Sequence, residues 1–275
     1  MNIYTNFRNI NRCFSINSLA YSLNRNLSTR FVFDGEYHDF LELLFVESGK
    51  IEVVEEENIY LMESGDIIFH APMEFHKVKT IDNTTPHIYN ISMKISGNPP
   101  ENIYRGTFKL SNIQEAKFTD IFNKVFAFWK NRNISDYDGQ AIAAELEAFI
   151  IDICQSSISN DKPLEELSAL TYKKIIETMH REVYNNVSLS YISSLNHIST
   201  SYLKNLFSRY CDYSPKEYYQ KLRLREAVKM LSENANIYSV ADKLGFSSPN
   251  HFTDFFKRQT GITPSHYKIK IKDTK

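Results

Sequence analysis

One segment of the C-terminal third occurs twice: it reads SYLKNLFSRYCDYSPKEY at residues 201–218 and NHFTDFFKRQTGITPSHY at residues 250–267. The two copies share four identical residues and keep apolar side chains at matching positions. The identical pairs are Phe207 with Phe256, Arg209 with Arg258, Pro215 with Pro264 and Tyr218 with Tyr267. Repetition of a unit this size indicates one supersecondary element used twice. The function of the chain therefore depends on what this element does.

Each copy predicts two short helices joined by a tight turn. The first helix carries a small residue at its centre, Ser193 or Ala241, which lets a second helix cross close by. In the second copy, Gly245 suits the left-handed backbone conformation that ends a helix. Ser199 and Ser248 stand where a side-chain hydroxyl caps the second helix.

The second helix of each copy is amphipathic, with one apolar face and one polar, basic face. A helix, a tight turn and a helix of this kind form a helix-turn-helix, predicted at about residues 189–210 and again at 237–259. A major groove accepts such a helix, where Asn and Lys read base edges and Arg or Lys holds phosphates. The predicted DNA-facing residues are Ser201, Lys204, Asn205, Ser208 and Arg209 in the first copy, and Asn250, Thr253, Asp254, Lys257 and Arg258 in the second.

A single helix is predicted between the two motifs. It begins at Ser214-Pro215-Lys216-Glu217, a capping box with Pro at the first helical position, and runs to about Leu231. Its apolar residues lie on two sides, which requires packing against two bodies. Roughly 17 residues span about 25 Å, and successive major grooves on one face of DNA lie about 34 Å apart. We therefore predict a rigid bridge between two DNA-reading motifs.

The charge of the chain is divided between its halves. Residues 171–275 hold 17 Lys and Arg against nine Asp and Glu, a net charge of +8, whereas residues 1–170 have a net charge of −9. This asymmetry is typical of a nucleic-acid-binding half joined to a half with another task. No apolar run approaches the roughly 18 residues of a membrane span, the N-terminus lacks a signal-peptide core, and three scattered cysteines match no disulfide or metal pattern. We expect a cytoplasmic protein without a membrane partner.

The acidic half begins with short predicted β-strands. Runs rich in Ile, Val, Phe and Tyr alternate with turns at Ser48-Gly49 and Ser64-Gly65, a pattern that favours a sandwich or small barrel. Two amphipathic helices follow within about residues 111–157, and they either cap the barrel or form a dimer interface. The polar segment after them predicts a linker at 156–170.

These segments resemble one protein family. Similarity to the cupin-type ligand-binding domain of many AraC/XylS-family regulators is carried by HDFLELLFVESGKIEV and LMESGDIIFHAPMEFHKV. The family's DNA-binding domain is resembled by YLKNLF, SPKEYYQKLRLREA and VADKLGFSSPNHFTDFFKRQTGITPSHY. Two residues depart from it: Asp254 stands where the family often has Arg, and Asn196 occupies a usually apolar position.

The resemblance implies a multi-domain α+β fold. A cupin-like β-barrel followed by helices would occupy residues 1–155, and an all-α double helix-turn-helix domain would occupy residues 171–275. It also implies a sequence-specific transcription regulator that binds double-stranded promoter DNA under the control of a small-molecule effector. A homodimer is expected, with RNA polymerase as a candidate partner.

Alternating strand positions predict a cavity lined by aromatic and polar side chains. Such a cavity suits a small ligand, and a sugar stacked on aromatic faces is one case. The candidate effector-binding residues are Phe31, His38, Phe40, Glu42, Phe69, His76 and Tyr89. In the alternative interpretation these side chains fill the core and bind nothing, and the chain is a ligand-independent DNA-binding regulator.

The histidines raise a further alternative, a metal-dependent cupin enzyme with an appended DNA-binding module. Cupin enzymes hold a metal ion through two close His, a Glu a few residues on and a later His, because several ligands must converge. Phe40 stands where the second His would be, and Glu42 comes too early. We therefore predict no enzyme activity, no metal and no cofactor, with His70 as an outside candidate for a third ligand beside His38 and His76.

Overall fold

The computed structural model describes residues 10–104, 106–131, 135–156, 158–160, 166–211 and 213–272. The chain divides into two compact units. The first ends at Pro163, and the second comprises Leu164 onward together with Glu56–Ile59. Within the described ranges, every helix is too short or too polar to cross a membrane.

The N-terminal half contains the β-strands, which form two sheets. They are β1 (Phe14–Asn26), β2 (Val32–Glu36), β3 (Leu41–Ser48), β4 (Lys50–Glu55), β5 (Asn58–Glu63), β6 (Asp66–His70), β7 (His76–Thr80), β8 (His87–Gly97), β9 (Thr107–Lys109) and β10 (Ile158–Asn160). One sheet has the strand order β1-β8-β3-β6-β9-β10, and the other has the order β2-β7-β4-β5. The predicted turns lie between β3 and β4 and between β5 and β6. Gly49 and Gly65 take φ angles of 80° and 88° there, which glycine adopts without steric cost.

Strand alternation separates two apolar layers in the first unit. Leu44 and Val46 of β3 join residues of both sheets in one cluster, which fills the space between the sheets. Leu43 and Phe45 of the same strand join a second cluster with two helices, α1 (Asn112–Lys130) and α2 (Asp136–Ser156). The helix pair therefore covers the outer face of the six-stranded sheet of its own chain, one of the two predicted roles.

From Glu166 onward, the secondary structure of the described residues is helical. The helices are α3 (Leu167–Arg181), α4 (Leu189–Leu195), α5 (Thr200–Tyr210), α6 (Pro215–Ser232), α7 (Ile237–Lys243), α8 (Pro249–Thr260) and α9 (Pro264–Lys272). The pairs α4–α5 and α7–α8 occupy the two predicted helix-turn-helix segments. Between them, α6 has the predicted capping box of Ser214 and Glu217.

The predicted linker at 156–170 differs from the structure at both ends. β10 lies inside that range and pairs with β9 in antiparallel register. At the other end, α3 begins at Leu167, four residues before the predicted domain boundary, and Glu166 is its N-cap residue. A polar composition masked both elements, because the first turn of α3 buries only the small side chain of Ala169.

Candidate DNA interface and ligand cavity

α5 carries the candidate DNA-facing residues of the first motif. The Ser199 hydroxyl accepts a hydrogen bond from the Tyr202 amide at 3.1 Å and caps the helix, as predicted. The buried stripe comprises Leu203, Leu206, Phe207 and Tyr210. The exposed residues of the opposite face include Ser201, Lys204, Asn205 and Ser208. One side of α5 is thus fixed in the core, and the other presents a cation, an amide and two hydroxyls to solvent.

α8 presents the corresponding face of the second motif. Its cap is Ser248, whose hydroxyl accepts from the His251 amide at 3.2 Å, with Pro249 at the first helical position. Thr253 is only half-exposed, and its hydroxyl donates to the Pro249 carbonyl at 2.9 Å. The Thr253 hydroxyl oxygen can therefore accept a hydrogen bond from DNA, but the hydroxyl proton is already donated to the Pro249 carbonyl. The exposed candidates on this helix are Asn250, Asp254, Lys257 and Arg258.

Arg209 differs from the other predicted DNA-facing residues. Its guanidinium donates to a Glu166 carboxylate oxygen at 2.9 Å and to the Ser168 hydroxyl at 3.1 Å. It also lies 5.0 Å from the ring centroid of Tyr210. These contacts hold Arg209 against the start of α3, so a DNA phosphate would have to compete with Glu166 for it. The sequence could not show this pairing, because the two residues are 43 positions apart.

The connecting helix α6 packs against both motifs, as its two apolar sides predicted. Tyr218 meets Phe207 of the first motif edge to face, with ring centroids 5.6 Å apart. Ala227 and Leu231, on the other side, belong to the cluster that contains Phe252 of the second motif. One continuous helix thus fixes the two DNA-reading helices relative to each other.

α6, α8 and the N-terminal end of α4 form a polar groove that was not predicted from the sequence. The groove has a volume of about 610 Å³, and Lys216, Asp254 and Arg258 are among its lining residues. Arg223 also lines it, although this residue is only 5% exposed. The Arg223 guanidinium donates to the Leu244 carbonyl and lies 4.2 Å from the ring centroid of Phe246. Arg223 therefore positions the turn of the second motif.

A second cavity, of about 410 Å³, lies in the barrel. Its walls are mainly apolar, and carboxylate, imidazole, amide and hydroxyl groups interrupt them. Of the predicted effector-binding residues, Phe31, Phe40, Glu42 and His76 line this cavity. The other lining residues are Leu23, Arg25, Leu27, Phe33, Glu36, Leu44, Val78, Ile88, Asn90 and Ser92. Alternation along β8 could have identified Asn90 and Ser92, which lie two residues apart on the face that also bears Ile88.

Three predicted effector-binding residues, His38, Phe69 and Tyr89, are not among the residues that line the cavity. Phe69 and Tyr89 lie on the other face of the six-stranded sheet. Both belong to the cluster between the six-stranded sheet and the helices α1 and α2. Phe69 is fully buried there, and Tyr89 meets Phe122 of α1 edge to face at 4.8 Å between ring centroids. The sequence did not distinguish the two faces of this sheet, because both are covered by other parts of the chain. Aromatic residues then occur on both, and composition does not indicate which face is the interior.

His38 lies at the polar end of the barrel and contacts two other predicted residues. Its imidazole stacks on Phe40 at 3.7 Å between ring centroids. Its Nε2 lies 3.4 Å from Glu42 Oε2, and His76 Nε2 lies 3.6 Å from Glu42 Oε1. Glu42 therefore does meet both histidines, although its spacing from His38 departs from the cupin pattern.

Burial and the neighbouring charges set the protonation of this group. Burial favours the protonated form of Glu42, but the His38 imidazole and the electrostatic interaction with His76 and His70 outweigh it and lower the pKa of Glu42 to about 2. Burial, with repulsion from His70, lowers the pKa of His76 to about 3. Burial opposes the charged form of His38 as well, yet the Glu42 carboxylate raises the pKa of that imidazole. At neutral pH the group therefore combines an ionised Glu42 with a neutral His76.

The chain combines two helix-turn-helices, joined by one helix, with a barrel that contains a ligand-sized cavity. This combination defines the class of ligand-responsive DNA-binding regulators. Two family models match the chain accordingly: an AraC-like ligand-binding domain at residues 24–97 and a helix-turn-helix domain at residues 192–269. Together they span more than half of the sequence. The chain belongs to the AraC/XylS family of transcription regulators. It is a DNA-binding regulator controlled by a small-molecule effector.

Individual relatives are similar over different lengths. The HTH-type transcriptional regulator YfiF of Bacillus subtilis is 21% identical over 252 residues, which cover 86% of this chain and 79% of YfiF. The raffinose operon transcriptional regulatory protein RafR of Pediococcus pentosaceus is 37% identical over 75 residues, 27% of each chain. Among solved structures, ToxT from Vibrio cholerae is 13% identical over 94% of this chain and 98% of its own, with a TM-score of 0.38.

Proposed function

We propose that the chain recognises its operator mainly through α5, with Lys204 and Asn205 reading base edges. The observation that carries this proposal is the contrast between the outer faces of α5 and α8. Both Lys204 and Asn205 are exposed donors on a capped helix. On α8, the carboxylate of Asp254 repels phosphates, and Thr253 has already donated its hydroxyl proton. In this proposal α8 contributes mainly phosphate contacts through Lys257 and Arg258.

Measurements of sequence preference would test this assignment. The operator would first be identified by genome-wide mapping of bound sites, and fluorescence anisotropy would then compare operator and scrambled duplexes. We expect Lys204→Ala and Asn205→Ala each to cost about 1–3 kcal/mol on the operator and little on the scrambled duplex. Arg258→Ala should weaken binding about equally on both. If Lys204→Ala and Asn205→Ala leave the ratio of the two affinities unchanged, α5 is not the main reading helix.

We further propose that the effector is a carbohydrate bound in the barrel cavity. Phe31 and Phe40 supply aromatic faces for a sugar ring, and Asn90 and Ser92 supply hydrogen-bonding groups within the same cavity. The raffinose operon regulator among the relatives supports this ligand class, although that similarity spans only 27% of the chain. The regulator names of the relatives also support a protein without enzyme activity.

A cavity-filling substitution would test the effector site. Leu23 lines the cavity, so Leu23→Trp should remove the rise in melting temperature that a binding sugar produces, in a thermal-shift screen of mono-, di- and trisaccharides including raffinose. Leu61→Trp is the matched control, because Leu61 is 50% exposed and is not among the cavity-lining residues. Equal shifts in both variants would place the sugar elsewhere. No shift with any sugar would contradict the carbohydrate class and leave the DNA assignment untouched.

A homodimer through α1 and α2 is the proposed assembly. The inner stripes of these helices cover their own sheet, while Ile113, Tyr137 and Ile151 are exposed apolar residues on the helix pair. Light scattering on the purified full chain would measure the mass of the assembly directly.

A further inference from the structure

Four side chains that can bind a metal converge at the polar end of the barrel. One ligand atom from each of Glu36, His38, Glu42 and His76 lies within 4.8 Å of the others. The strand register produces this convergence. Glu36 of β2 is paired with His76 of β7, and Glu42 extends from β3 in the opposite sheet. Glu36, His38 and Glu42 thus come from one short stretch of the chain, and the fold brings His76 from a distant strand to the same place.

Backbone contacts fix the orientation of both imidazoles. His38 Nδ1 lies 3.0 Å from the carbonyl oxygen of Phe40, and His76 Nδ1 lies 3.2 Å from that of Glu74. A carbonyl can only accept a hydrogen bond, so each Nδ1 carries the proton and each Nε2 presents its lone pair in the neutral ring. Metal-binding histidines typically donate one ring N–H to a carbonyl or carboxylate in this way.

The Nε2 atoms of His38 and His76 have no hydrogen-bond partner among the described residues. The His76 side chain is only 1% exposed, and the His38 side chain is 7% exposed. Both lone pairs approach the carboxylate of Glu42, which is itself only an acceptor when ionised. Acceptors that meet in a buried place are costly unless a cation lies between them. A cation bound between these acceptors would offset that cost.

Two of the distances match those in a metal site. In a tetrahedral site with bonds of about 2.1 Å to nitrogen and oxygen, neighbouring ligand atoms lie about 3.4 Å apart. The separations of Glu42 oxygens from His38 Nε2 and His76 Nε2 are 3.4 Å and 3.6 Å. Two imidazoles and two carboxylates suit zinc, iron, manganese or nickel, whereas magnesium and calcium prefer oxygen ligands alone.

We propose that the barrel holds one divalent first-row transition metal ion through His38 Nε2, His76 Nε2 and the carboxylates of Glu42 and Glu36. Glu36, Glu42 and His76 also line the 410 Å³ cavity, so the ion would lie at its polar end. This ligand set differs from that of the cupin enzymes. It has two carboxylates, from Glu42 and Glu36, and it lacks the second of the two close histidines, where Phe40 stands. The absence of a metal inferred from the sequence is thereby replaced by a specific site.

Metal titration of the full chain would test the proposal independently of DNA binding. The tag-free protein would be stripped with a chelator and titrated with Zn²⁺ by calorimetry, and with Co²⁺ by its visible absorption. We expect one ion per chain and the intense bands of low-coordinate Co²⁺ with nitrogen and oxygen ligands. Glu42→Gln and His76→Gln should weaken Zn²⁺ binding by about 100-fold or more, since even outer partners of ligands contribute about 10–100-fold.

Two further variants keep the test decisive. His87→Gln is the matched control, because His87 also contacts a carboxylate, that of Glu47, away from the four-residue group. It should bind Zn²⁺ as the unmodified chain does. Glu36 is exposed, so Glu36→Gln should fold normally and still weaken binding by about 10-fold. The proposal is overturned if the unmodified chain binds no stoichiometric ion, or if Glu36→Gln and Glu42→Gln bind Zn²⁺ like His87→Gln.

Discussion

The turns of the two helix-turn-helices have different residues at the same left-handed backbone position. His197 in the first turn has a φ angle of 55°, and Gly245 in the second has a φ angle of 65°. Non-glycine residues adopt this left-handed region at a cost, because Cβ crowds the following carbonyl. A Cβ at Gly245 would also lie 2.9 Å from the carbonyl oxygen of Tyr184. The second turn therefore requires glycine, whereas the first accommodates a side chain.

Paired substitutions at these turns should have unequal effects. We expect Gly245→Ala to lower the free energy of unfolding by about 1–2 kcal/mol, the cost of a left-handed alanine, with a further loss from the Tyr184 contact. His197→Gly removes the same strain from the first turn and should leave stability unchanged or slightly higher. Urea unfolding followed by circular dichroism measures both changes. An equal loss in the two variants would contradict the role of the left-handed conformation.

Asn196 illustrates how a polar residue can replace an apolar one in a turn. The resemblance to the family implies an apolar residue at this position. In the structure the Asn196 side-chain amide donates to the Ile192 carbonyl at 2.9 Å. Its oxygen shares the Thr178 hydroxyl proton, at 3.3 Å, with the Lys174 carbonyl at 2.8 Å. These contacts connect the turn to α4 and α3. Asn196 therefore stabilises the first motif through polar contacts instead of apolar packing.

At the scale of elements, the start of α6 controls the bridge between the two motifs. The Glu217 amide donates to the Ser214 hydroxyl at 3.3 Å, and the Ser214 amide donates to the Glu217 carboxylate at 2.9 Å. Pro215 occupies the first helical position, where no amide donor is needed. The hydrogen bonds from Ser214 lower the pKa of Glu217 below 4.5. The carboxylate therefore contributes above pH 4.5, and its contribution is lost as the pH falls through the lowered pKa.

Removal of this cap should loosen the bridge. Ser214→Ala is expected to lower the free energy of unfolding by about 1 kcal/mol, the usual contribution of a capping hydroxyl. Ser232→Ala, at the exposed C-terminal end of the same helix, is the control and should change stability much less. Chemical denaturation at neutral pH distinguishes the two. A Ser232→Ala loss as large as that of Ser214→Ala would show that the effect does not come from the cap.

At the scale of the whole molecule, the division of charge determines how the chain meets DNA. The net charge of +8 on residues 171–275 attracts phosphates, whereas the net charge of −9 on residues 1–170 does not. Phosphate contacts release counterions, so the affinity for DNA should fall steeply as salt concentration rises. The salt dependence is a property of the whole chain, because every cationic side chain that contacts a DNA phosphate contributes to it.

Two arginines at equivalent repeat positions should contribute unequally to the salt dependence. We expect Arg258→Ala to reduce the slope of log affinity against log salt by about one. Arg209→Ala should reduce it less, because Arg209 is paired with Glu166 at 2.9 Å. Anisotropy titrations of one duplex at several salt concentrations give both slopes. Equal changes would show that DNA displaces Glu166 from Arg209.

The local features of this protein could be predicted from its sequence. The repeat, the caps at Ser199, Ser214 and Ser248, and the glycine turns follow from interactions within a few residues. The spacing of apolar residues and the residue types at caps and turns were therefore enough to predict these features. Hydrophobic periodicity also indicated that α6 packs against two bodies, because both of its apolar sides are visible in one short segment.

The contacts between distant segments could not be predicted and became known from the fold. Strand register brought Glu36 and His76 beside Glu42, and the covering of both sheet faces placed Phe69 and Tyr89 away from the cavity. The pairing of Arg209 with Glu166 likewise joins residues far apart in the chain. The physical reason is common to all three: alternation places a side chain on one of two faces, and only the packing of other segments determines what each face meets.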